Sequence, residues 1–153
     1  MRGDPMSRSD ITIRPLEPSD LDAILRIDEK LSGETRKEYW QKRFELAMLR
    51  PPWMSLVAET DGRVVGFVFG WVGQSEFGIH DPVAWLDLIG VDPPYRGRGV
   101  GQALVERFVA SGRELRAIRN VATLIDLAQA DVREFFLRLG FRHGAMVQME
   151  KPV

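Results

Sequence analysis

The stretch 83–104, VAWLDLIGVDPPYRGRGVGQAL, constrains this chain more than any other segment. An apolar run, Val83 to Val91, is broken by Asp92-Pro93-Pro94, and an amphipathic helix carrying Val100, Ala103, Leu104 and Phe108 follows. Between them stand Gly97, Gly99 and Gly101, separated by Arg98 and Val100. A strand that runs through a glycine-rich turn into a helix brings backbone N–H groups close to a ligand. The first N–H groups of the helix lack internal partners, and the helix dipole favours negative charge there. Arg96 and Arg98 add guanidinium groups that fork onto phosphate oxygens. The spacing is neither a P-loop, which needs Gly-Lys-Ser/Thr, nor a dinucleotide fingerprint, which needs G-x-G-x-x-G.

The rest of the chain reads around that turn. Ile11 to Arg14 alternates as a short strand before Pro15. Ser19 and Asp22 form a capping pattern for a helix over 19–30. Thr35 and Glu38 repeat the pattern for a second helix, striped by Trp40, Phe44, Ala47 and Met48 and ended by Pro51-Pro52. Strands are predicted over 55–59 and 64–72, joined by an Asp61-Gly62 hairpin turn, then over 83–91 and 121–127. A helix over 131–139 ends at Gly140, and a last strand spans 141–149. The fold class is α/β (α+β): a central mixed, mostly antiparallel sheet, with strands 83–91 and 121–127 adjacent and parallel through one crossover.

Composition narrows the functions. With 153 residues the chain is one domain, 10–153, behind a polar lead-in at 1–9 expected to be disordered, with Met6 a candidate true start. There are no cysteines, so disulfides, thiolate metal sites and a cysteine nucleophile are excluded. Two histidines leave too few ligands for a metal centre at recognisable spacing. A net charge of −1 argues against a nucleic-acid partner, and no apolar run reaches the roughly 18 residues of a membrane span. A cytoplasmic location is expected. Charge is unevenly spread: 96–119 carries six arginines against Glu106 and Glu114, while 17–38 carries seven acids against four bases.

The pattern Arg96-x-x-Gly99-x-Gly101 after Val-Asp-Pro resembles the pyrophosphate loop of the GNAT superfamily of N-acetyltransferases. Leu139-Gly140-Phe141 matches that superfamily's later motif, and the element order fits from residue 10 onward. The resemblance implies acetyl-coenzyme A as co-substrate, a primary amine as acceptor and direct attack of the amine on the thioester. It implies that Arg96, Gly97, Arg98, Gly99, Val100, Gly101 and Gln102 hold the pyrophosphate. The backbone of Ile89, Gly90 and Val91 would take the pantetheine arm at a strand bulge expected near Gly90, with the Val91 N–H facing the carbonyl oxygen.

The general base of several family members aligns with Trp85 and Asp87, and strand alternation puts Trp85, Asp87, Ile89 and Val91 on one face. Asp87 is therefore the first candidate base and Glu76 the second. Asp126 and His80 are weaker candidates, and His143 reads as structural. The usual tyrosine acid aligns with Phe136 and the usual asparagine with Gln129, both departures from the family pattern. Phe136 is expected beside the sulfur end of the co-substrate, where Phe136→Tyr is tolerated.

In that superfamily the two N-terminal helices and the loop after the third strand shape the acceptor pocket; here those segments carry Asp28, Glu29, Glu34, Glu38, Trp40 and Glu76, which would make an acidic, aromatic cleft for a cation. Similar small single-domain members acetylate proteins, so the resemblance ranks protein lysine or N-terminal amines first as acceptors, ahead of small amines. Sheet-edge homodimers are common in the superfamily. The alternative to an enzyme is a non-catalytic acyl-coenzyme A binding or sensing module.

Overall fold

The computed structural model describes residues 10–153, so the predicted lead-in lies outside the described residues. They fall into two compact units, 10–123 and 124–153. The first holds a five-stranded sheet in the order β1-β2-β3-β4-β5. Its strands are β1 (Thr12–Pro15), β2 (Ser55–Thr60), β3 (Arg63–Gly73), β4 (Val83–Val91) and β5 (Asn120–Thr123). Neighbours are antiparallel except β4 and β5, which run parallel, as the predicted crossover requires. Asp61 and Gly62 both have positive φ, 51° and 70°, in the two-residue turn between β2 and β3.

Helices α1 (Leu21–Ser32) and α2 (Lys37–Met48) cover one face of the sheet. Ile24, Ile27, Trp40, Phe44 and Ala47 meet Val57, Phe67 and Phe69 there in one apolar core. Trp40 lies edge-on to Phe67 with ring centres 5.2 Å apart. Helix α3 (Val100–Glu114) covers the other face. It approaches β3 at two glycines. A Cβ on Gly66 would lie 2.9 Å from a Val100 methyl, and one on Gly70 2.5 Å from the Phe108 ring. The absence of those side chains fixes how deeply α3 seats, and with it the position of the helix N-terminus.

Both predicted capping boxes are replaced by other contacts. Helix α1 follows a 3-10 turn at Pro18–Asp20, where Glu17 donates its backbone N–H to Asp20 Oδ2 at 2.8 Å. Asp20 is better placed than Ser19 because it also takes both Arg14 Nη groups, at 2.8 and 2.9 Å. Helix α2 starts two residues after Thr35, whose hydroxyl instead donates to Glu29 Oε1 at 2.9 Å.

Strand β5 is shorter than predicted, ending at Thr123 rather than Leu127, because its pairing with β4 stops at Leu86. In the second unit, helix α4 (Ala130–Arg138) is close to its predicted bounds, and Gly140 follows it at φ 86°. The predicted strand 141–149 forms no ladder. Its alternation leaves Met146, Val147 and Met149 exposed, so apolar periodicity alone was not enough to make a strand without a paired neighbour. Among the described residues, no helix is long and apolar enough to cross a membrane.

Candidate active site

Strand β4 carries an irregularity that reorganises the predicted site. The β3–β4 register pairs Phe69 with Leu88 and Gly70 with Leu86, so Asp87 is an extra residue opposite that step. The faces confirm a one-residue slip. A Cβ on Gly112 of α3 would sit 4.0 Å from the Ala84 methyl, whereas a Cβ on Gly90 would run into the Phe67 ring at 2.5 Å and Leu31 of α1 at 3.1 Å. Residues 84 and 90 have the same parity yet face opposite layers, and only a bulge between them allows that. Trp85 and Asp87 therefore point to the α1/α2 side, while Ile89 and Val91 point to the α3 side. The expectation that all four share a face fails. The bulge lies at Asp87 and not at Gly90; glycine is needed at 90 because Phe67 packs over it.

The same point marks where the sheet splays. The parallel ladder runs from Val83 and Asn120 to Leu86 and Thr123 and goes no further, so β4 from Asp87 to Val91 has a free outer edge. Asp92 donates its N–H to Val65 O on β3, at 2.8 Å. Successive N–H groups along a strand point to opposite edges, so the Val91 and Ile89 N–H groups are directed to the free edge.

Beyond β4, Asp92 is buried and accepts from Lys30 Nζ of α1 at 2.8 Å, which ties the start of the glycine turn to the helical layer. Gly97 and Gly99 have φ of 72° and 84°, a conformation glycine adopts without strain. The first helical bond of α3 is Ala103 N–H to Gly99 O at 2.9 Å, so the N–H groups of Val100, Gly101 and Gln102 have no partner within the helix. Gly99 caps the helix with no side chain to occupy them. Nothing lies within 4 Å of where a Gly97 Cβ would be. Arg96 and Arg98 are exposed, the latter with its guanidinium 5.6 Å from the centre of the Tyr95 ring. Tyr95 thus packs rather than donates. Gln102 turns its amide to Glu106 Oε1 at 2.8 Å. Three open N–H groups, two arginines and the free N–H groups of β4 fit the phosphates and the amide-bearing arm of coenzyme A.

On the α1/α2 side, Asp87 Oδ2 accepts from Arg43 Nη2 of α2. Arg43 also lies over Tyr39, 5.9 Å from its centre, and Arg36 lies over the same ring at 5.1 Å. Trp85 stacks on Trp71 at 5.8 Å with an interplanar angle of 16°, and Phe77 meets Trp85 edge-on. Phe77 and Ser75 both have positive φ, 54° and 65°. Non-glycine residues rarely adopt that conformation, and such strain concentrates at ligand-facing loops. Glu76 is exposed, with Oε2 folded back over Gly73 beside Trp85. Glu76 and Asp87 thus bracket an aromatic wall of Trp71, Trp85 and Phe77.

That wall differs from the one expected. Trp40 is 1% exposed and belongs to the core. Asp28 is buried and held by Arg36, whose Nε donates to Oδ2 at 2.9 Å. Burial pushes the Asp28 carboxyl up, but the Arg36 guanidinium and the nearby Trp40 indole outweigh it and hold it below its ordinary value. The Trp40 N–H itself has no hydrogen-bond partner of good geometry, so its effect on Asp28 is one of proximity. Neither residue is available to an acceptor. Arg43, Tyr39, Trp71 and Phe77 take their place. The i, i+4 spacing of Tyr39 and Arg43 on α2 hints at that pair in the sequence, and nothing local points to Trp71 or Phe77.

In the second unit, Phe136 is 2% exposed and lies edge-on to Phe135 and Phe141, each 5.1 Å away. Gln129 precedes α4 and accepts the Arg133 N–H at its backbone oxygen, at 3.1 Å. Asp126 makes a local turn, accepting the Ala128 N–H at 2.9 Å. His80 and His143 are exposed.

Residues 21–141 match the model of the acetyltransferase (GNAT) family. The chain belongs to the GNAT acetyltransferase family. It is 32% identical over 146 residues to an uncharacterized N-acetyltransferase of Methanocaldococcus jannaschii, covering 90% of this chain and 63% of the relative. It is 31% identical to the mycothiol acetyltransferase of Acidothermus cellulolyticus, covering 93% of this chain and 48% of that one. The GNAT chain described here thus spans about half to two thirds of the length of these relatives. Among solved structures, aminoglycoside N-acetyltransferase AAC(6')-Iy in complex with coenzyme A superposes with a TM-score of 0.78 at 20% identity, over 93% of this chain and 94% of that one. Ard1 of Thermoplasma volcanium superposes at 0.73 with 26% identity, over 89% and 85%.

Proposed function

We propose that this GNAT chain transfers the acetyl group of acetyl-coenzyme A to a primary amine. The observation that carries the reading is the alignment of two open backbone surfaces. The unpaired N–H groups of Val100, Gly101 and Gln102 stand at the end of a strand whose outer edge is free from Asp87 onward. Val100, Gly101 and Gln102, with Arg96 and Arg98, hold the phosphates. Gly97 and Gly99 let the backbone close on them. Ile89 and Val91 pair with the arm, and the Val91 N–H donates to the carbonyl oxygen as it gains charge.

When bound, acetyl-coenzyme A supplies an acetyl thioester whose sulfur departs as a thiolate. With an ordinary thiol pKa of about 8.5, that leaving group needs little protonation, which accommodates Phe136 and Gln129 where the family carries a tyrosine and an asparagine. The acceptor arrives as an ammonium with a pKa near 10.4 and must lose a proton. Asp87, on the α2 side of the bulge, receives it, with Glu76 across the aromatic wall as the second carboxylate. Protein lysine and N-terminal amines are included in this reading, while Asp28 and Trp40, expected to line a cleft for a cation, are part of the core.

The second reading, a binding module without transfer, draws on the Arg43 guanidinium that occupies Asp87. The test uses the missing cysteines: free coenzyme A is the only thiol in the reaction, so a thiol-reactive dye reads turnover without protein background. Turnover with a primary amine supports the transferase. Binding of acetyl-coenzyme A with silence across lysine peptides, polyamines, amino sugars and amino acids supports the module.

A further inference from the structure

The contact between Arg43 and Asp87 does more than obstruct a base. Their side chains are 25% and 32% exposed, a half-buried ion pair that faces the place where an acceptor must sit. Arg43 is held from behind by the Tyr39 ring. A second guanidinium stands close: Arg50, two residues beyond the end of α2, donates from Nη1 to Gly70 O at 3.1 Å, directly at the bulge. Burial, and then the charge of Arg43, push the Arg50 guanidinium below its ordinary value. The two cations therefore feel each other, and among the described residues Asp87 is the carboxylate bonded to Arg43.

An ammonium alone would be poorly received there. It would have to strip Asp87 from Arg43 and leave that guanidinium half-buried without an anion, an unfavourable exchange. A molecule that carries both charges replaces the internal pair by two external ones. Its ammonium goes to Asp87 and its anionic group to the planar fork of Arg43.

We infer that the acceptor is a small amino carboxylate, whose carboxylate takes Arg43 from Asp87 while its amine takes Asp87, so that Arg43 determines specificity. This rests on the transferase reading above. Direct contact between Arg43 and Asp87 means that only a short spacer fits between the two charges, as in an amino acid and not in a long peptide. The Trp71–Trp85 stack beside Asp87 supplies an apolar wall for the spacer.

The experiment compares matched acceptors that differ by the carboxylate alone. Lysine, ornithine and 2,4-diaminobutyrate are set against cadaverine, putrescine and 1,3-diaminopropane, with coenzyme A release as readout, in the wild type, Arg43→Gln and Arg43→Lys. At least one amino acid is expected to exceed its decarboxylated partner about tenfold or more in kcat/KM. Arg43→Gln is expected to collapse that ratio toward one, chiefly through KM, and Arg43→Lys to restore part of it. Equal rates for both members of every pair in the wild type, or an unchanged ratio in Arg43→Gln, overturns the proposal while leaving the transferase intact.

Should no acceptor turn over, calorimetric titration of the chain with the same amino acids in the absence of acetyl-coenzyme A decides the matter separately. Binding that Arg43→Gln weakens keeps the amino carboxylate site even if transfer fails. Absence of binding by any of the amino acids removes it.

Discussion

At the scale of single residues, the proposed transfer turns on which carboxylate accepts the amine proton. Asp87 and Glu76 flank the same aromatic wall, but only Asp87 is engaged by a guanidinium. General base catalysis is worth about 10²–10⁴-fold. Asp87→Asn is therefore expected to lower kcat by at least about a hundredfold with acetyl-coenzyme A binding unchanged, and Glu76→Gln by only a few fold. The reverse pattern, read by the thiol assay and a binding titration, reassigns the base to Glu76.

Phe136 offers a second test at this scale. The ring is 2% exposed among other rings, so the family's tyrosine would bring a hydroxyl into apolar surroundings. Such a group without a partner costs about 1–3 kcal/mol. Phe136→Tyr is expected to lower the unfolding free energy by that amount, read as a lower urea midpoint, in place of the tolerance that alignment to the family suggests. An unchanged midpoint would mean that the hydroxyl finds a partner.

At the scale of elements, α3 is placed by what β3 lacks. A Gly70 Cβ would fall 2.5 Å from the Phe108 ring and 2.7 Å from Trp85 O, a backbone atom. Overpacking of this kind costs about 1–3 kcal/mol or more. Gly70→Ala is expected to destabilise the fold by at least that much and to weaken acetyl-coenzyme A binding, because α3 can retreat only by moving its N-terminus. A variant that loses stability but binds with unchanged affinity would separate the two effects.

Elements were also where the sequence was most legible. Strand 83–91, the Asp61-Gly62 turn, the α3 start at Val100 and the Gly140 stop are local signals, written in residues next to one another, and the structure repeats them. The glycine turn was legible for the same reason. Registry was not. The bulge at Asp87 depends on how β4 meets β3, and no feature of VAWLDLIGV reveals it. Face assignments drawn from alternation therefore held for Trp85 and Asp87 and failed for Ile89 and Val91. The capping boxes failed for a related reason: Asp20, held by Arg14 from β1, takes the place of Ser19, and Thr35 turns to Glu29 of α1. The aromatic wall escaped because Trp71, Phe77 and Trp85 come from both sides of a loop.

At the scale of the whole molecule, ion pairs on buried carboxylates tie together elements that apolar packing alone would leave free to slide. Arg14 bridges Asp20 to Glu59 of β2, Lys30 holds Asp92, and Arg36 holds Asp28. Burial pushes the Asp20 carboxyl up, but the Arg14 guanidinium and the Glu17 N–H hold it below its ordinary value, as Arg36 and Trp40 do for Asp28. A carboxyl lowered in the folded state contributes stability above its unfolded pKa, about 3.9, and loses it as pH falls through the folded values. Thermal stability is expected to be insensitive to these groups above about pH 5 and to fall below about pH 4. Arg36→Gln is expected to cost about 1–3 kcal/mol at pH 7, since a charge-assisted hydrogen bond is lost and a buried carboxylate left alone. Its acid transition should then begin at higher pH, a shift that a melting series from pH 3 to 8 would reveal by comparison with wild type.

The extra residue at position 87 also bears on how this chain can change over time. Upstream of it, Trp85 and Asp87 look toward α2 and the acceptor. Downstream, Ile89 and Val91 look toward α3 and present their N–H groups to the co-substrate edge. One strand is thereby divided into two stretches with different neighbours. Under the proposed function, drift at 85, together with 39, 43 and 77, can retune acceptor choice while Asp87 and the donor half stay as they are. Removal of Asp87 itself would restore regular alternation with both halves facing as they do now, at the cost of the carboxylate that meets α2; removal of a residue elsewhere in β4 would reverse the faces of those between it and the bulge. The bulge thus confines tolerance of a shorter strand to one position, which deletion scanning of β4 would reveal as the deletion that costs the fold least and the acceptor side most.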